Sequence, residues 1–164
     1  MNDFDIRLAS FTDLREISIL EEDSFERPYP RFLIERLLHD CPKTFWVAAD
    51  ASQKIVGYCV ASVAGKSAHL ISIAVPKNLR RKGVGSVLLQ TLLSHLRKSE
   101  VEDVWLEVKA ENKEAISLYT KTGFEKVTVI PKYYEDGSPA LKMRLGLQRA
   151  SPELSSGQRI VHPL

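Results

Sequence analysis

Cysteine is scarce in this chain: Cys41 and Cys59 are the only two in 164 residues. Two cannot build a disulfide framework or a cysteine-rich zinc site, and free cysteine ordinarily serves as a small apolar filler. Long apolar runs are missing too, so no segment is a candidate to span a bilayer. Neither sign of charge is in excess. Lys and Arg number 23 against 21 Asp and Glu, and a net +2 gives no ground for general binding to nucleic acid or membrane. No internal repeat is present. His39 and Cys41 offer two metal ligands without an obvious third, while His95 and His162 have no ligating context, so no metal is expected. The start, Met1-Asn2-Asp3, is polar and acidic, unlike a secretory signal, and the expected address is the cytoplasm.

What is present reads as one globular domain with a real core. Ile6 and Leu8 alternate with Arg7 in a short strand, and Ser10 or Thr12 can cap a helix carrying Leu14, Ile17 and Leu20. Two prolines interrupt the chain at 25–30. Pro30 can open a second helix, where Leu33, Ile34, Leu37 and Leu38 form an apolar stripe that Cys41-Pro42 ends. Strand-like segments at 45–49 and 55–63, joined by a polar turn, suggest a hairpin. His69-Leu70-Ile71-Ser72-Ile73-Ala74-Val75 is largely apolar on both faces, as a central strand would be, and Pro76 stops it. A helix over 83–98, a strand with Val104, Leu106 and Val108 on one face, and a helix from Asn112 to a stop at Gly123 follow. Two last strands, at 124–130 and 140–145, flank Tyr133-Tyr134-Glu135-Asp136-Gly137. The order β-α-α-β-β-β-α-β-α-β-β implies a mixed α/β sheet in a domain over 1–146. Residues 147–164, rich in Ser, Pro and Gly, read as a mobile tail.

The strongest chemical signal is Arg80-Arg81-Lys82-Gly83-Val84-Gly85, between the apolar strand and the helix it leads into. A helix start offers unpaired N–H groups and the positive end of the helix dipole. Glycine lets a phosphate approach the backbone, and the three cations add mobile positive charge. Taken alone, the segment also admits a plainer reading as a solvated basic turn followed by a helix. It is not a nucleotide-hydrolysing loop, because G-x-x-x-x-G-K-[ST] is absent. Nor is it a dinucleotide fingerprint, because Leu88 stands where the third glycine belongs.

What remains, R-x-x-G-x-G after Ile73-Ala74-Val75, closely resembles the pyrophosphate-binding motif of the GNAT superfamily of acetyltransferases. The resemblance extends through Trp105-Leu106-Glu107-Val108-Lys109-Ala110-Glu111-Asn112, Ala115-Ile116-Ser117-Leu118-Tyr119 and Gly123-Phe124. More narrowly, these segments are similar to the RimI-type and archaeal N-alpha-acetyltransferases, which acetylate protein amino termini. The run from His69 to Val75 resembles the archaeal branch, and Tyr133-Tyr134 matches the late tyrosine pair of the same families. With gaps, the likeness covers residues 6–145. It implies a single GNAT-type domain with a mixed, mostly antiparallel sheet flanked by about four helices.

It also implies roles. Ile73, Ala74 and Val75 would offer backbone groups to the pantetheine arm of acetyl-CoA, and Arg80, Arg81, Lys82, Gly83, Val84 and Gly85 would hold its pyrophosphate. Asn112 would contact the cofactor arm, and Tyr119 would sit beside its sulfur. Glu107 matches the family's general base and Tyr119 its general acid; His69 aligns with a histidine implicated in activity and is an auxiliary candidate. Each has a plain alternative: Asn112 as a cap, Tyr119 as a core aromatic, Glu107 as a solvated carboxylate, His69 as structural. Phe25 and Tyr29 in the 25–30 loop would line a pocket for the first side chain of the substrate, and Tyr133 and Tyr134 would hydrogen-bond its backbone. Arg27 stands where some archaeal relatives carry an acid, and Ser138-Pro139 departs from the usual pattern after the Asp-Gly turn, so first-residue preference is left open.

Neutralising an alpha-amine at pH 7 costs roughly 1 kcal/mol, against about 4.6 kcal/mol for lysine. A single carboxylate working through water suits the easier task. The expected substrate is therefore a protein or peptide amino terminus, with ribosomal proteins among the candidates, acetylated by direct transfer in a ternary complex by a monomer or weak dimer. No specific nucleic acid or membrane partner is expected. A lysine or small-amine acetyltransferase, and a catalytically silent acyl-CoA-binding module, are the two alternatives.

Overall fold

In the computed structural model, residues 3–147 are described and form a single seven-stranded sheet with helices on both faces. The elements follow the expected order: β1 (Phe4–Leu8), α1 (Leu14–Ser24), α2 (Arg31–Asp40), β2 (Phe45–Asp50), β3 (Ile55–Ala64), β4 (Ser67–Ala74), α3 (Val84–Lys98), β5 (Asp103–Lys109), α4 (Lys113–Thr122), β6 (Glu125–Ile130) and β7 (Ala140–Gly146). In space the strands run β1-β2-β3-β4-β5-β7-β6. Only β4 and β5 pair in parallel.

Two cores cover the two faces. Leu14, Ile17 and Leu20 of α1 and Ile34 and Leu38 of α2 pack on Phe45, Val47, Tyr58 and Val60. On the other face, Leu88, Leu92 and Leu96 of α3 and Tyr119 of α4 pack with Val104, Leu106 and Met143. These are the helical and strand periodicities of the sequence turned into layers. Both cysteines are buried in them, Cys41 in the first and Cys59 in the second.

Local chemistry sets the boundaries. Ser10 caps the 3-10 turn ahead of α1, its N–H donating to Asp13 Oδ2 at 2.8 Å, and Arg7 grips both Asp13 oxygens. The β2–β3 turn closes on Asp50, whose carboxylate accepts from the N–H groups of Ser52 and Lys54. Asn112 caps α4 by accepting from Ala115 N–H at 3.1 Å, and Gly123, at φ +111°, ends it. Leu147 is buried in the α3–α4 core and donates to Glu102 O at 2.8 Å. Of the tail expected over 147–164, Leu147 thus belongs to the domain core, and residues 148–164, with His162, lie outside the described residues. Among the described residues no helix is long and apolar enough to cross a membrane, and no group of three or more His, Cys, Asp or Glu could hold a metal ion.

Strand β4 departs from the expectation of a strand covered on both faces. Ile71, Ser72 and Ile73 are only half-buried. The reason lies in its pairing. β4 meets β5 only through Ser67, His69 and the residue between them, opposite Asp103 to Trp105. Beyond His69, β4 keeps β3 as its sole strand partner among the described residues and β5 keeps β7, so the sheet splits into a V. Ala61 pairs with Leu70 while Val60 pairs with Ser72, which leaves Ile71 as an extra residue on β4. Such a bulge bends its strand and shifts its facing. Before it, Ala68 and Leu70 enter the α3–α4 core; after it, Ala74 enters the α1–α2 core.

Candidate active site

The V leaves one edge of β4, residues 70–74, without a strand partner facing the open end of β5. Backbone polar groups on such an edge need partners, and a ligand lying along it can supply them. Ile73 and Ala74 lie on that edge and Val75 follows directly. Arg80 Nε donates to Val75 O at 3.1 Å, which folds this arginine back onto the strand end.

Past it, the loop enters α3 through two left-handed residues, Arg81 at φ +65° and Gly83 at φ +88°. Consecutive N–H groups in such alternating conformations converge, and α3 adds its own unpaired N–H groups. Arg81 and Lys82 are exposed, and with Arg80 they form no ion pair with any described residue. Packing does not demand glycine at 85. A Cβ there would meet Leu118 and Val75 at 3.5 and 3.7 Å, ordinary contact distances. The loop therefore has the donors, the charge and the open backbone that a pyrophosphate requires.

At the throat of the V, His69 on β4 and Glu107 on β5 meet, Nε2 to Oε2, at 2.6 Å. Glu107 projects from the β5 face opposite Val104, Leu106 and Val108, as the alternation required. His69 is half-exposed. Tyr119 comes up from α4, almost fully buried and edge-on to Phe124 at 5.7 Å. Burial pushes its hydroxyl well above the ordinary value, with Cys59 and Tyr134 adding to the effect, so it is a protonated donor at neutral pH.

One side of the throat is bordered by tyrosines. Tyr133 and Tyr134, in the loop between β6 and β7, stand edge-on at 4.9 Å. Burial, then Tyr133, Glu107 and Tyr29, push Tyr134 up to about 12. Tyr133 is raised by burial and by Glu107, and Tyr29 by burial, Glu21 and Tyr133. An ion pair between Arg27 and Glu135 joins the α1–α2 and β6–β7 loops into one mouth beside β5, near enough for Tyr29, Tyr133, Tyr134 and Glu107 to perturb one another. Phe25 is less committed: it stands at the end of α1, 39% exposed, with no ring stacking on the tyrosines. Asn112 keeps its capping oxygen on Ala115, which leaves its amide N–H groups for a ligand.

Three features escaped the sequence reading. Arg27 and Glu135, 108 positions apart, form an ion pair between the two mouth loops. Lys109 reaches Asp136 at 3.3 Å, with its Nζ 5.5 Å from the Tyr134 ring centroid. Glu21 is buried between α1 and the sheet, bonded to Tyr29 and Tyr58. Glu21 alone left a trace in the sequence, as a carboxylate at i+7 from Leu14 on the apolar stripe of α1.

Known proteins share this fold. The model of the acetyltransferase (GNAT) family matches residues 11–124. The N-alpha-acetyltransferase of Sulfolobus acidocaldarius is 32% identical over 153 residues, spanning 85% of this chain and 90% of that protein. The crystal structure of Ard1 from Thermoplasma volcanium superposes with a TM-score of 0.85 at 33% identity, covering 90% of this chain and 99% of that one. The ribosomal-protein-S18-alanine N-acetyltransferase of Escherichia coli gives 0.80 at 28% identity, over 90% and 96% of the two chains. With the split sheet, the basic loop at the start of α3 and a family match over most of its length, the chain belongs to the acetyltransferase (GNAT) family.

Proposed function

We propose that this enzyme acetylates the free amino terminus of a protein or peptide, with acetyl-CoA as the acyl donor. The observation that carries the reading is the His69–Glu107 pair at the throat of the V, with a tyrosine-lined mouth on its substrate side. Relatives named for N-alpha acetylation, one of them for a ribosomal-protein alanine, support it. The residues present fit the donor: the open edge of β4 for an amide-bearing arm, and the loop from Arg80 to Gly85 for a pyrophosphate. When bound, acetyl-CoA supplies an activated acyl thioester.

The chain's own residues manage protons and position. The incoming ammonium must lose a proton before its nitrogen can attack. With Nε2 and Oε2 committed to each other, His69 Nδ1 and Glu107 Oε1 are the atoms left to accept it. If His69 Nε2 donates, Glu107 fixes the tautomer that leaves Nδ1 free and stabilises the imidazolium that forms. Tyr119 Oη holds a proton where a departing group can take it. Tyr133 and Tyr134 present hydroxyl donors to the peptide carbonyls, while Tyr29 and Phe25 border the space for the first side chain. Ring walls around the mouth also limit water, which competes with the amine.

The test is mass spectrometry of products from a peptide library varied at its first two residues, run with amino-blocked, lysine-containing controls. Acetylation confined to free amino termini is expected. Equal acetylation of the blocked peptides would move the assignment to lysine, and cofactor binding without any product would favour a silent binding module.

A further inference from the structure

Glu21 occupies a place where the apolar stripe of α1 calls for leucine, and it is only 2% exposed. Burying a carboxyl group is costly unless its oxygens are all engaged, and a hydrophobic side chain would fill the site without that cost. Both oxygens are engaged here. Oε1 accepts from the backbone N–H of Tyr29 at 3.0 Å, and Oε2 accepts from the Tyr58 hydroxyl. Because Tyr58 donates its only proton to Glu21, its oxygen is left to accept from Ser72 Oγ, 3.0 Å away. The donor direction therefore runs from Ser72 through Tyr58 to Glu21.

The two ends of this relay lie on the two sides of the reaction. Tyr29 belongs to the mouth loop between α1 and α2. Ser72 lies on β4, three positions after His69 and directly before the Ile73–Val75 segment, past the bulge that turns it to the α1–α2 face. Tyr58 itself is immobilised in the core against Phe45, ring centroids 5.6 Å apart.

We propose that Glu21 is a positioning residue for the acetyl transfer, fixing the Tyr29 backbone relative to β4 and turning the Ser72 proton inward. Ser72 is thereby left with acceptor capacity only, the form that can receive an N–H from the arriving amine. The inference rests on reading the 25–30 loop as the acceptor loop. Glutamine at 21 keeps the shape and breaks the logic. Its oxygen can still serve Tyr29, but its amide N–H then faces Tyr58, which must send its own proton to Ser72.

Steady-state kinetics on the full chain test it, with acetyl-CoA affinity and melting temperature measured on the same samples. For Glu21→Gln, peptide KM is expected to rise about 10-fold, the size of one lost hydrogen bond to a charged group, with acetyl-CoA Kd within about twofold. Adding Ser72→Ala to Glu21→Gln should raise KM less than Ser72→Ala does in the wild type, since both act on one relay. A purely structural role would lower the melting temperature and the active fraction, and leave peptide KM alone. An unchanged peptide KM in Glu21→Gln overturns the proposal. If that variant does not fold, Tyr58→Phe and Ser72→Ala are judged by the same criterion. Tyr29→Ala separates the two readings. Unchanged peptide KM there sinks the loop assignment, whereas a raised KM with Glu21→Gln unchanged sinks the role of Glu21 alone.

Discussion

At 2.6 Å, His69 Nε2 and Glu107 Oε2 are close enough that one proton serves both groups. Removing either partner leaves the other in the wrong hydrogen-bonding state, so the two should behave as one catalytic unit. Glu107→Gln and His69→Phe are each expected to lower kcat about 100- to 1,000-fold, the usual contribution of a general base. The double variant should fall no further than the worse single one, because groups acting as a unit are not additive. Multiplicative losses in the double variant would mean two independent roles. Tyr119 poses a different question. Its buried hydroxyl is held protonated by burial, and Phe124 supports its ring, so Tyr119→Phe removes the proton without moving the ring. A drop in kcat at constant melting temperature is expected, and an unchanged kcat would assign the leaving-group proton to water.

Two glycines beside the first turn of α3 separate packing from ligand approach. At Gly57 on β3, a Cβ would stand 3.0 Å from both Leu88 Cδ1 and Val84 Cγ1 and 3.3 Å from Ala74 O. Gly57→Ala therefore pushes α3 off the sheet, and a stability loss of about 1–3 kcal/mol is expected from overpacking. Gly85 has room for the same methyl group. Gly85→Ala should melt like the wild type yet bind acetyl-CoA about 10-fold less tightly if phosphate oxygens approach this backbone. Calorimetric titration beside thermal melts reads both, and equal affinity would move the pyrophosphate elsewhere on the loop. The contrast also shows what a sequence can reveal. Element order was legible because periods of 2 and 3.6 residues are written locally, as in Val104, Leu106 and Val108. The glycine-rich loop was legible because its spacing is short. The bulge at Ile71 was not, since it exists only in the register with β3. Glu107 and His69 were both identifiable as candidates, but their contact depends on where two strands part. The Arg27–Glu135 pair depends on two loops 108 positions apart meeting, which no local pattern encodes.

The whole molecule hinges on the closed end of the V. Two half-sheets, β1 to β4 and β5 to β7, share only the three residue pairs from Ser67–Asp103 to His69–Trp105. Asp103 fastens that joint on both sides, accepting from the Ser67 hydroxyl of β4 and from Arg144 Nε of β7 at 3.2 Å. Glu107 lies two residues past the last joint pair, so the angle set here governs its distance from His69. The Ser67 hydroxyl, and then Arg144, hold the Asp103 carboxyl below its ordinary value of 3.8. A carboxyl with a lowered value in the folded state releases its proton more readily there than in the unfolded chain. Its contribution is therefore complete above 3.8 and is lost as pH falls through the lowered value. Asp103→Asn keeps the shape and removes the charge. A cost of about 1 kcal/mol is expected near pH 7, modest because the pair with Arg144 is partly solvated. Thermal unfolding of the two proteins from about pH 7 to about pH 3 should show their melting temperatures converging as the wild type loses the same interaction by protonation. A gap that stays constant across that range would mean that the joint is held by the backbone pairs alone, with Asp103 contributing shape and no charge.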